Sequence, residues 1–88
     1  MKLLFSGRAW DEYLYWQDNA DRLVKLNNLL AECRRHPFTG TGKPEPLRGQ
    51  WAGFWSRRIS GEHRLVYRVT GRGADQQLEI AQCRYHYD

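Results

Sequence analysis

The chain has 88 residues and a mass of 10.5 kDa, which suits a single domain over residues 1–88 with a thin core. Its 41% hydrophobic, 14% aromatic and 27% charged residues exclude a disordered chain, and no apolar run approaches the roughly 20 residues of a membrane span. The net charge of +4 is unevenly spread: residues 1–32 carry four basic and five acidic side chains, residues 33–88 ten and five.

Nine of those ten basic residues are Arg, with Lys43 the exception. Arg presents a planar fork that pairs with phosphate and stacks on bases, so this half points to a polyanion partner, with nucleic acid first. The opening MKLLFSGRAW is too short for a signal-peptide core, which predicts a cytoplasmic location. The two cysteines, Cys33 and Cys83, are then expected as free, mostly buried thiols. No metal or cofactor is expected, since the sequence has no CxxC, no HxxxH and no Asp cluster.

Lys2 to Phe5 reads as a short first strand, with Ser6 as the N-cap of a helix of about three turns. Trp10, Tyr13, Leu14 and Gln17 fall at helical spacing on its apolar side, with Asp11, Glu12 and Asp18 opposite. Asp18 and Asn19 break this helix and cap a second one. There Leu23, Leu26, Leu30 and Cys33 make a stripe flanked by Val24 and Leu29. Arg34, Arg35 and His36 oppose the dipole of its last turn, and Pro37 stops it. Phe38 to Gln50 follows as a long irregular segment without helical or strand period. Within it Pro44 and Pro46 bracket Glu45 and give its carboxylate a stiff mount.

From Gly53 the period becomes two. Phe54–Ile59, His63–Thr70 and Leu78–Tyr85 read as an antiparallel meander joined by turns at Ser60–Glu62 and Gly71–Asp75. Leu65, Tyr67 and Val69 share one face of the middle strand; Arg64, Val66 and Arg68 share the other. The fold class is α+β, with two helices packed on one face of a mostly antiparallel sheet of four to five strands.

Four sets of residues can carry chemistry: Glu45 in its rigid mount, Arg57 with Arg58, Arg64 with Arg68, and His86 with Tyr87 at the chain end. The strand arginines would meet on the exposed sheet face, either gathered around a phosphate or paired singly with Glu62, Glu79 or water. Arg84, Tyr85 and Tyr87 surround His86, and a terminus rich in rings is expected to dock. A carboxylate, a guanidinium and an imidazole suit RNA cleavage by internal transesterification. A base frees the 2′-oxygen, a cation stabilises the phosphoryl oxygens, and an acid protonates the leaving 5′-oxygen.

Five strings extend this reading: WDEYLYW (10–16), GKPEPL (42–47), GFWSRRI (53–59), EHRLVY (62–67) and CRYHY (83–87). Together, in order and across nearly the whole chain, they resemble the Txe/YoeB branch of the RelE/ParE toxin superfamily of bacterial toxin–antitoxin systems. The resemblance implies a RelE-like fold and a ribosome-dependent endoribonuclease that cuts mRNA in the ribosomal A site. It implies a Phd/YefM-type antitoxin as partner, the ribosome with its mRNA as target, and a homodimer as assembly. By the same resemblance Glu45 matches the general base, Arg64 the phosphate-stabilising arginine, His86 the general acid and Tyr87 the tyrosine that shapes the site. Lys43, Arg58 and Glu62 match supporting positions. Asp88 departs from the family pattern by adding a carboxylate beside His86 that would repel RNA phosphate. The long turn Gly71–Gln76 departs too, away from the motifs.

Two other classes share these features. One is a non-catalytic toxin of the ParE kind acting on DNA gyrase, which generally lacks the Glu45, Arg64 and His86 set. The other is an RNA-binding module without turnover, which a cyclic-phosphate product would exclude.

Overall fold

The structure, a computed structural model, describes residues 1–86. In chain order it comprises β1 (Lys2–Phe5), α1 (Gly7–Tyr15), a 3-10 turn (Trp16–Asp18), α2 (Ala20–Arg35), β2 (Glu45–Pro46), a 3-10 turn (Gly49–Trp51), β3 (Trp55–Arg58), β4 (Arg64–Thr70), a 3-10 turn (Gly73–Asp75) and β5 (Gln77–Gln82). The five strands form one sheet in the order β1-β5-β4-β3-β2, antiparallel except for the parallel pair of β1 with β5. The expected α+β arrangement of two helices on a mostly antiparallel sheet therefore holds.

Both helices start where local chemistry says they should. The Ser6 side chain accepts a hydrogen bond from the Ala9 N–H, and Asn19 accepts one from Arg22, each satisfying an orphan donor of the first turn. Leu26, Leu29, Leu30 and Cys33 of α2 are buried as the stripe predicts, whereas Val24 is exposed. They meet Ile59, Leu65, Tyr67, Leu78 and Ile80 of the sheet region. Full burial of each Leu or Ile contributes roughly 2–3 kcal/mol. Both cysteines are free and buried, and burial pushes the Cys83 thiol up to about 12.

The face of α1 differs from the periodic expectation. Trp10 and Leu14 are about half exposed, while Ala9 and Trp16 are buried and Glu12 turns inward. The reason lies at the other end of the chain. Glu12 Oε1 accepts the Cys83 N–H at 2.8 Å and Trp16 Nε1 donates to the Cys83 carbonyl at 2.9 Å. A polar residue on the buried side is satisfied by the C-terminal backbone, which helical periodicity does not register.

The segment after α2 also differs. Glu45 and Pro46 pair with β3 as an edge strand, Glu45 opposite Ser56. Pro46 is tolerated there because an edge position leaves its missing N–H uncounted. At its other end β5 stops at Gln82, short of the expected Tyr85. The extra residue Ala81 makes a bulge there, since Val66 faces Gln82 while Tyr67 faces Ile80.

Candidate active site

The strand register decides which residues share a face. In β3, Trp55 and Arg57 turn towards the helices, and Ser56 and Arg58 turn away. In β4, Leu65 and Tyr67 are buried against the helices, and Arg64, Val66 and Arg68 lie on the opposite face. Glu45 faces Ser56, Ser56 faces Val66, and Val66 faces Gln82, which makes one row across four strands. The next pair towards the β3–β4 turn is Arg58 with Arg64. The Arg58 N–H donates to the Gly42 carbonyl at 2.7 Å and the Arg64 N–H to the Tyr85 carbonyl at 2.9 Å. Both amides therefore point away from the shared strand edge, so the two arginines form the closer, non-hydrogen-bonded type of pair. Two guanidiniums directly opposite repel, and such a pair favours an anion between them.

Arg64 is half-buried, and its Nη1 donates to the carbonyls of Ser60 (2.8 Å), His63 (3.1 Å) and Gly61 (3.3 Å). The turn thus fixes one end of the fork. Arg68 pairs with Glu79 at 2.8 Å, as the surface-charge alternative expected. The Glu79 carboxyl is held below the usual range by its hydrogen bonds from Arg68 and Thr70. Glu62 is exposed in the β3–β4 turn.

Arg57 corrects the expectation that both strand arginines stand on the exposed face. Its side chain is fully buried on the helix side. Nη1 donates to Glu32 Oε1 at 2.7 Å and to the Thr41 carbonyl at 3.2 Å. Nη2 donates to the carbonyls of Thr39 and His36, and Nε to the Tyr67 hydroxyl at 3.1 Å. The Tyr67 hydroxyl donates in turn to the Pro37 carbonyl, and burial pushes its phenol well above the ordinary range. Glu32 also accepts the Thr41 N–H and hydroxyl, and these bonds, with Arg57, pull its carboxyl down. A fully occupied buried guanidinium has no capacity for RNA. The signal was available: Arg57 shares its parity with Trp55 and Ile59, both inward.

The work of Arg57 is to hold the segment that leads to Glu45. Its bonds reach His36, Thr39 and Thr41 in sequence, and Gly42 then docks on Arg58. Gly42 has φ +87, and a Cβ there would lie 3.0 Å from the Arg58 carbonyl and 3.2 Å from the Arg57 Cβ. Glycine is what permits that approach. Lys43 follows, exposed, at φ 52, a left-handed conformation for a non-glycine residue. Strain of this kind, on the order of 1–3 kcal/mol, persists where surroundings impose it and gathers near functional sites.

Trp55 is half-buried against the core, with its ring 4.8 Å from that of Phe38. The Arg84 guanidinium is sandwiched between the rings of Tyr15 (3.4 Å) and Tyr85 (4.4 Å). Tyr85 is exposed, and so is His86, the last described residue. Tyr87 and Asp88 lie outside the described residues. Among the described residues Tyr85 is the other non-glycine residue with positive φ, at 62. Its N–H donates to His63 Nδ1 at 2.7 Å. His63 shares its parity with Leu65 and Tyr67, which marks it as inward, although a histidine next to a turn carries no other local signal of a role.

The structure thus brings Glu45, Arg58 and Arg64 to one face, with the chain before His86 running beside Arg64, and sends Arg57 to the other face. A family model for the YoeB-like toxin of bacterial type II toxin-antitoxin systems matches residues 5–87. The chain is 58% identical to Toxin YoeB of Escherichia coli K12 over 99% of its own length and 100% of that protein. Its structure superposes on a YoeB/ParE toxin from Agrobacterium tumefaciens with a TM-score of 0.95 at 53% identity, covering 99% of this chain and 100% of that one. YoeB from Staphylococcus aureus, solved as a dimer and in complex with YefM, gives 0.84 at 42% identity, covering 99% of this chain and 98% of that one. On this full-length agreement of sequence and fold, the chain belongs to the YoeB-like toxins of bacterial type II toxin-antitoxin systems.

Proposed function

We propose that this toxin is a ribosome-dependent endoribonuclease that cuts mRNA in the ribosomal A site. The observation that carries the reading is the shared face: Glu45, Arg58 and Arg64 stand on it, and the segment bearing His86 is bonded to the Arg64 backbone. The Glu45 carboxylate takes the proton of the 2′-hydroxyl. The 2′-oxygen attacks the adjacent phosphorus, and the bond from phosphorus to the 5′-oxygen breaks. Arg64, with Arg58 and Lys43 near it, stabilises charge on the non-bridging oxygens. His86 gives its proton to the departing 5′-oxygen. The products are a 2′,3′-cyclic phosphate and a 5′-hydroxyl, so protons and bonds balance. Tyr87 is assigned to shaping this site by resemblance alone. Holding the RNA strand in line is the ribosome's task, and that positioning is worth several kcal/mol of barrier.

Ribosomes programmed with an mRNA carrying a single 2′-deoxynucleotide at the scissile position test the chemistry. The all-ribose message is cut and its fragment ends in a cyclic phosphate by mass, while the deoxy message stays intact. Undiminished cutting of the deoxy message would overturn the mechanism.

A YefM-type antitoxin is the proposed partner, and a homodimer the proposed assembly, by analogy with the Staphylococcus aureus complex and dimer. The basic half of the chain would speed encounter with an acidic segment, with an on-rate that falls as salt rises. Hydrogen exchange on the complex should show protection at residues 54–68 and 84–86. Protection confined to the two helices would point to inhibition from a distance.

A further inference from the structure

Five hydrogen bonds fasten the backbone just before His86, the longest of them from Gln82 Nε2 to the Arg84 carbonyl at 3.4 Å. Cys83 is held by Glu12 through its N–H and by Trp16 through its carbonyl. Tyr85 is held by His63 through its N–H and by the Arg64 amide through its carbonyl. Most of these partners are backbone groups or side chains without an imidazole, whose ordinary pKa lies close to neutrality. His63 is the exception.

Its ring is buried, packed edge-on against Trp16 with centroids 4.8 Å apart and tilted against Tyr85 at 5.5 Å. Nδ1 faces an N–H, so it must carry a lone pair, and the ring proton belongs on Nε2. The bond it makes is short, 2.7 Å, and it falls on a residue whose left-handed φ of 62 costs on the order of 1–2 kcal/mol unaided. The Tyr85 conformation sets the direction in which the chain leaves towards His86.

We propose that His63 is a positioning residue for the reaction, its neutral Nδ1 locking Tyr85 in the left-handed conformation that aims His86 at the Arg58–Arg64 face. The proposal rests on the reading of His86 as the acid of the cleavage step. Burial is the first cause that lowers the His63 pKa from its ordinary 6.5, and the charges around the ring add to it. Arg22 faces it from α2, Arg84 from the terminal segment, and Arg64 and Glu62 from its own strand and turn, three cations against one anion. Below that lowered pKa the imidazolium would point a proton at the Tyr85 N–H, and the lock would open. The sign follows: a histidine with a lowered folded pKa contributes stability that is complete above 6.5 and is lost as pH falls through the folded value.

Two variants separate the lock from the packing. His63→Asn keeps an acceptor near the Nδ1 position but cannot be protonated. His63→Phe keeps a ring against Trp16 and removes the acceptor. The readouts are amide hydrogen exchange at Tyr85 from about pH 5 to about pH 8 and cleavage on programmed ribosomes, with thermal unfolding as the control for folding. In the natural protein the Tyr85 amide should be protected at the upper end and lose protection in acid. His63→Phe should be folded yet unprotected throughout, with cleavage down by about 10²-fold, the scale of a misplaced catalytic group. His63→Asn should keep protection in acid and recover most of the cleavage lost in His63→Phe. A folded His63→Phe with Tyr85 protected, or one that cuts at the natural rate, would overturn the proposal. A natural protein that cuts nothing, with the exchange pattern as expected, would sink the reading of His86 and leave the anchoring intact.

Discussion

Two segments outside the long strands and helices bring the proposed base and acid to the sheet, and they are fastened by opposite means. The segment 36–44 before Glu45 hangs on a buried cation: Arg57 binds the carbonyls of His36, Thr39 and Thr41 and the Glu32 carboxylate. The segment 83–85 before His86 hangs on Glu12, Trp16, His63 and the Arg64 amide, spread over α1, the turn after it and the start of β4. A guanidinium keeps its charge at any physiological pH, so the first fastening is permanent. The second contains a neutral imidazole, so it can be released. The proposed base and acid thus follow mounts of different stiffness, and of the two only the mount before His86 contains a group that titrates near neutrality.

The largest expected effect comes from cutting the permanent fastening. Arg57→Met removes the donor shared by the carbonyls of His36, Thr39 and Thr41 and takes from Glu32 the cation it pairs with. Arg57 is fully buried and Glu32 partly exposed, so the loss lies at or below the roughly 3–5 kcal/mol of a fully buried pair broken from one side, against the 5–15 kcal/mol typical of a domain. Denaturant unfolding should show a loss of that size, and a loss below about 1 kcal/mol would show that the segment is held by something else.

Arg64→Ala should show the reverse pattern, with the fold spared and the chemistry lost. Its side chain is only half-buried and lies off the helix-packed core. Removal of one charge-stabilising donor costs on the order of 10²–10³ in rate. Cleavage on programmed ribosomes, read beside a melting curve, checks both halves. An unfolded Arg64→Ala would make the residue structural and withdraw it from the site.

The smallest effect concerns acid. The Glu32 carboxyl is lowered below 4.5, first by its bonds from Thr41 and then by Arg57. A carboxyl lowered in the folded state contributes stability that is present above 4.5 and is lost as pH falls through the folded value. Glu32→Gln should flatten that part of the stability–pH curve by lowering the stability above it, and leave the slope near neutrality, where His63 acts, unchanged. An unaltered acid limb would mean that Glu32 is not anchoring residues 39–41.

Local signals determined much of this protein. The caps at Ser6 and Asn19, the α2 stripe, the turns and the alternation of β4 are read from neighbours in sequence, because helix and strand periods are set by the backbone itself. Alternation also carried the inward parity of Arg57 and His63, although a charged or polar side chain in that parity reads as surface until its partners are known. Those partners were beyond the reach of local pattern. Glu32 lies 25 residues from Arg57, His63 22 from Tyr85, and Glu12 71 from Cys83. A buried polar group is stable only when a specific donor or acceptor meets it, and which one does is decided when the sheet closes. The residue types for the chemistry were legible in the chain; the face that Glu45, Arg58 and Arg64 share, and the two unlike fastenings of the segments before Glu45 and His86, came from the tertiary structure.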